Sequence, residues 1–118
     1  MQERLKLLFE NNVIDREVFD FCSAAVSQLS GLGYQDGEME AFITHLALSA
    51  MRIKAGNCVS CDAAAMAGEL KEDCGEEVFS RAEALWEQIP TGSLVYNAEE
   101  RCYVLLHLCT LISGKNQE

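Results

Sequence analysis

Residues 42–52 read F-I-T-H-L-A-L-S-A-M-R, and the reading of this stretch decides the fold. Phe42, Ile43, Leu46, Ala47, Ala50 and Met51 recur at three- and four-residue intervals, the period of a helix rather than the alternation of a strand. Apolar positions reach back to Met39 and forward to Ile53, so the helix is long, broad-faced and well buried. Asp36 or Gly37 begins it, and Gly56 with Asn57 closes it. Phe42, His45, Ser49 and Arg52 share one of its faces, with His45 and Arg52 two turns apart.

The same period recurs on either side. Residues 1–11 carry Leu5, Leu8 and Phe9 at the spacing of a short amphipathic helix, and residues 1–12 read as an N-terminal extension that is free to fray. A single domain then runs over 13–118. Asp15 offers an N-cap for a helix through Val18, Phe19, Cys22, Val26 and Leu29, which Gly31 and Gly33 end. After the loop N-C-V-S-C-D (57–62), the run A-A-A-M-A-G-E-L-K-E-D is helical by propensity, although Gly68 weakens it by about 1 kcal/mol relative to alanine. Cys74 and Gly75 mark a bend. Val78, Phe79, Ala82, Leu85, Trp86 and Ile89 form the next apolar face, stopped at Pro90. A last helix starts near Asn97 or Ala98 and packs through Tyr103, Val104, Leu106, Leu108, Leu111 and Ile112. Nothing longer than S-L-V-Y alternates like a strand. The expected architecture is all-α, with five main helices in a compact bundle.

Composition narrows function. Nineteen acidic residues against nine basic ones give a net charge of −10 over 118 residues. A duplex-binding domain needs a basic footprint to displace counterions, so direct nucleic-acid binding is not expected. No apolar run approaches the 18 residues of a membrane span, and the N-terminus lacks the pattern of a signal peptide. Six cysteines, with Cys22, Cys102 and Cys109 inside apolar helical patterns, then read as reduced thiols of a cytoplasmic protein.

Both histidines of the chain lie mid-helix. The bland explanation for each is a satisfied core histidine. The stripes around them argue for more: Glu100, Tyr103 and His107 on the last helix match His45, Ser49 and Arg52 on the long one, a charged residue standing two turns from each imidazole. An imidazole with pKa near 6.5 is mostly neutral at cytoplasmic pH, leaving a ring nitrogen free to attack phosphorus. A phosphoryl group added at a helix seam must be neutralised or it forces the seam apart.

The segment Phe42–Arg52 resembles the first signature of the phosphotransferase-system regulation domain (PRD), in which an arginine follows the histidine by seven places. Glu100–Leu108, E-R-C-Y-V-L-L-H-L, resembles the second, in which a glutamate precedes the histidine by seven. V-F-S-R-A-E-A-L-W-E-Q-I and V-F-D-F-C-S-A-A-V-S-Q-L resemble the family's fourth and first helices, so the likeness covers roughly Val13–Ser113. The resemblance implies a five-helix PRD bundle, first helix against fourth and second against fifth, each pair antiparallel. It implies that His45 and His107 accept phosphoryl groups from the phosphocarrier HPr or an enzyme II component, controlling transcription regulation through dimerisation. Arg52, Glu100 and Tyr103 are then supporting residues, and an Arg52–Glu100 contact is expected, with which phosphorylation would compete. Relatives usually carry an RNA-binding or helix-turn-helix output domain. None is visible here, so a homodimer acting on a separate output regulator is expected.

Two other readings compete. Cys58-Val-Ser-Cys61 is a CxxC that reads as a small zinc site if Cys74 or a histidine completes it, but a lone CxxC is a weak signal beside two idle loop thiols. A plain helical dimerisation scaffold would use the histidines only for packing. No nucleophile elbow, phosphate loop or metalloprotease motif suggests an enzyme, and no cofactor is implied.

Overall fold

The computed structural model describes residues 2–58, 60–92 and 94–116. Among them are six helices and no strand: α1 (Gln2–Glu10), α2 (Arg16–Gly31), α3 (Asp36–Ala55), α4 (Ala63–Cys74), α5 (Glu76–Gln88) and α6 (Ala98–Asn116). The helix beyond the five main ones expected from sequence is α1. Leu5 is fully buried in the common core and Phe9 meets Phe19 of α2 at 5.3 Å, so residues 2–10 are seated on α2.

Local chemistry sets the boundaries. Asp15 accepts the Val18 N–H at 2.9 Å and caps α2. At the other end Gly33, at φ 96°, donates to the Ser30 carbonyl while Tyr34 donates to that of Leu29, a Schellman closure that returns the chain towards α3. A capping box between Gln35 and Glu38 opens α3. Gly56, at φ 75°, ends it by the same closure, with Asn57 donating to the Arg52 carbonyl. Asp62 caps α4 through the Ala65 N–H, and Asn97 caps α6 through the Glu100 N–H at 2.8 Å.

The core is one cluster drawn from every helix. α3 and α6 pack most extensively and run antiparallel, since residues late in α3 meet residues early in α6. α3 also lies on α2, and α6 on α4 and α5. α2 and α5 meet through side chains rather than by close backbone approach. Tyr96, from the α5–α6 connection, stands between them, its ring 6.2 Å from Phe21 of α2 and 4.8 Å from Trp86 of α5. An aromatic ring inserted between two helices keeps their backbones apart, because interaxial distance follows the side chains at the contact. Across the gap Gln28 Nε2 donates to Gln88 Oε1 at 2.9 Å. No helix among the described residues is long and apolar enough to cross a membrane.

Candidate functional site at the seam of α3 and α6

The antiparallel seam joins the two stripes read from the sequence. His45 and His107 stack face to face, their ring centroids 3.8 Å apart and their planes inclined by 9°. Tyr103, one turn before His107, stands edge-on to both rings, and its hydroxyl is hydrogen bonded to Nδ1 of His45 at 2.7 Å. Which atom donates depends on the tautomer. With Nδ1 protonated, its N–H donates to the Tyr103 oxygen and the lone pair is left on Nε2, for which no protein partner is found among the described residues.

Two turns along, Arg52 and Glu100 form the expected contact. Nε of Arg52 donates to Oε2 of Glu100 and Nη2 to Oε1, both at 2.9 Å, in a forked pair. Ser49, one turn from Arg52, donates its hydroxyl to Oε1 at 3.0 Å. The Glu100 side chain is 0 % exposed and that of Arg52 is 26 % exposed. The Arg52 guanidinium also lies 4.6 Å from the centre of the Tyr103 ring, a cation–π distance that links the ion pair to the histidines. Hydrogen bonding to Glu100 raises the Arg52 pKa above its ordinary value, against the opposing effect of burial. Separating a buried pair of this kind costs about 3–5 kcal/mol, because an uncompensated charge stays inside. Arg52 is therefore a strut at this end of the seam.

The imidazole end is reachable. Burial, with the neighbouring His45 second, pushes His107 down to about 4, so that ring is neutral at physiological pH. A cleft of about 220 Å³ opens on His107, walled by Glu38, Ala41, Phe42, Thr110 and Leu111. A second, of about 340 Å³, opens on His45 and is walled by Arg4, Gly37, Glu40, Ala41 and Thr44. Ala41 borders both, and its small side chain leaves the seam accessible from either side. Arg4 is the residue that sequence reasoning missed; nothing in the α1 pattern links it to a histidine forty-one positions away.

The cysteines lie elsewhere. Cys58 and Cys61 occupy the loop before α4, where the Cys61 thiol meets the Met66 sulfur at 3.9 Å. Cys74 is the last residue of α4, roughly 18 Å along a twelve-residue helix from that loop, and lies beside Cys109 of α6. Cys74 therefore does not join Cys58 and Cys61. Among the described residues no group of three His, Cys, Asp or Glu side chains is placed to hold a metal ion. Burial pushes the Cys22 and Cys109 thiols up to about 12, which makes them poor nucleophiles.

Comparison of the chain with family models, with curated proteins and with solved structures finds no match to any of them.

Proposed function

We propose that this chain is a regulatory domain of the PRD type, cytoplasmic and without turnover of its own, in which His45 and His107 are alternative phosphoacceptors. The observation that carries the reading is the stacked imidazole pair with a cleft on each side. A neutral imidazole supplies a nucleophilic nitrogen, and the hydrogen bond to Tyr103 orients the His45 ring and engages its Nδ1. The donor is HPr or an enzyme II component, and the chain acts as a homodimer on a separate output regulator.

The geometry gives the switch its logic. The rings stack at 3.8 Å, and a phosphoryl group on one of them brings up to two negative charges to a seam already bordered by Glu38 and Glu40. The stack must then loosen while Arg52 and Glu100 hold the other end. α3 and α6 would open as a hinge about the ion pair, exposing apolar surface or remodelling a dimer contact.

Incubation with phosphorylated HPr tests this. An acid-labile label that disappears in the His45→Ala, His107→Ala double variant supports the reading. Absence of label on the folded parent chain favours a helical scaffold in which the histidines only pack.

A further inference from the structure

A phosphoryl group on His45 needs a cation, and the obvious one is committed. Arg52 stands two turns away, about 10 Å along the helix, and holds a carboxylate that would otherwise be buried uncompensated. Arg4 is differently placed. It reaches from α1 across to α3, its Nη1 donates to Oε1 of Glu40 at 2.7 Å, and both residues wall the cleft that opens on His45. The pair is about half exposed on either side, so exchanging its partner costs little. Among the described residues lining the two clefts at the histidines, Arg4 alone carries a fixed positive charge.

We propose that Arg4 is the recognition cation for a phosphoryl group on Nε2 of His45, exchanging Glu40 for it and so clamping α1 onto α3. The proposal rests on the phosphoacceptor reading and adds to it a direction of regulation: modification at His45 tightens the N-terminal helix while it loosens the stack. The guanidinium fork suits phosphate oxygens, and a dianion attracts it more strongly than the monoanionic Glu40. Thr44, on the same wall, already spends its hydroxyl proton on the Glu40 carbonyl and is not a competing donor. Glu40 is then displaced towards solvent, where half of its side chain already lies.

Phosphoramidate is a suitable probe, because it phosphorylates imidazoles without a protein donor. The Nε2 lone pair attacks phosphorus of the donor in its zwitterionic form, the P–N bond breaks with its electrons moving onto the already protonated nitrogen, and ammonia leaves. The Nδ1 proton of the resulting phosphoimidazolium passes to solvent, after which Nδ1 accepts from the Tyr103 hydroxyl. In a His107→Gln background, with phospho-His45 followed by phosphorus NMR, backbone amide exchange of residues 2–10 should slow roughly two- to five-fold on phosphorylation, the range of a half-exposed charge pair. Arg4→Gln should abolish that slowing, Arg4→Lys should restore part of it, and Glu40→Gln should preserve or enlarge it. Phospho-His45 that forms normally while α1 exchange stays the same in parent and Arg4→Gln chains overturns the role of Arg4 alone. No phosphohistidine at His45 in the parent chain overturns the phosphoacceptor reading and this proposal with it.

Discussion

His45 and His107, sixty-two positions apart in the chain, lie with their rings parallel and 3.8 Å apart at the centre of the α3–α6 seam. Two imidazolium cations could not share that spacing, and His107 is the ring held neutral, its pKa pushed down first by burial and second by the neighbouring His45. The rest of the site follows from this pairing: Tyr103 orients one ring, and Arg52 with Glu100 pins the seam two turns away.

Stability should depend on pH through His107. Its folded pKa is about 4 against an ordinary value of 6.5, so between these limits the unfolded chain binds more protons. The contribution is fully present above pH 6.5 and declines as the pH falls towards 4. Allowing for the partial exposure of the ring, the loss between pH 7 and 5 should be about 1 kcal/mol. Urea unfolding of the parent chain and of His107→Gln over that range checks this, the variant showing the shallower dependence.

The ion pair should be costly to break from one side. Arg52→Met leaves Glu100 buried without its cation and should destabilise the fold by about 3 kcal/mol or more. Adding Glu100→Gln removes the stranded charge and should recover at least half of that loss. Equal stability of the single and double variants, measured by denaturant unfolding, would contradict the strut role.

Tyr96 supplies a contrasting case. Its hydroxyl is sealed from solvent without a properly formed hydrogen bond, the nearby Ser49 being committed to Glu100, and burial pushes its pKa up to about 12. Tyr96→Phe removes a buried polar atom and keeps the ring between Phe21 and Trp86, so stability should stay level or rise by up to about 1 kcal/mol. Tyr96→Ala empties the wedge and should cost about 3 kcal/mol or more. Thermal unfolding of the two variants separates hydroxyl from ring.

Tyr103 should govern reactivity more than stability. Tyr103→Phe removes the hydrogen-bond partner of Nδ1 of His45 and with it the restraint that orients this ring. Phosphorylation of His45 by phosphoramidate should slow about three- to ten-fold, in line with the loss of one hydrogen bond, while labelling of His107 changes less.

Much of this was legible in the chain. The 3.6-residue period around Phe42–Arg52, the glycines at 33 and 56 and the caps at Asp15 and Asn97 located the main helices, because these features act over a few residues. The equal seven-residue offsets of Arg52 from His45 and of Glu100 from His107 foretold the ion pair, since an antiparallel seam brings equal offsets together. What the sequence concealed depends on tertiary placement. Tyr96 lies in a connection with no periodicity, yet its ring packs between Phe21 of α2 and Trp86 of α5. Arg4 sits in a short helix whose apolar pattern is carried by Leu5, and only the packing of α1 brings it to the mouth of the His45 cleft. Cys74 was a candidate partner for the CxxC, but α4 packs as one continuous helix and carries it away from that loop.

The central claim is that the stacked histidines accept phosphoryl groups, and site mapping after exposure of the full chain to phosphorylated HPr tests it most directly. Mass spectrometry under alkaline conditions, which preserve the P–N bond, should locate an added phosphoryl group on His45 or His107, with little doubly modified chain because the stack cannot hold two such charges. A folded parent chain that stays unmodified at both rings, while a known acceptor in the same mixture is labelled, would contradict the account.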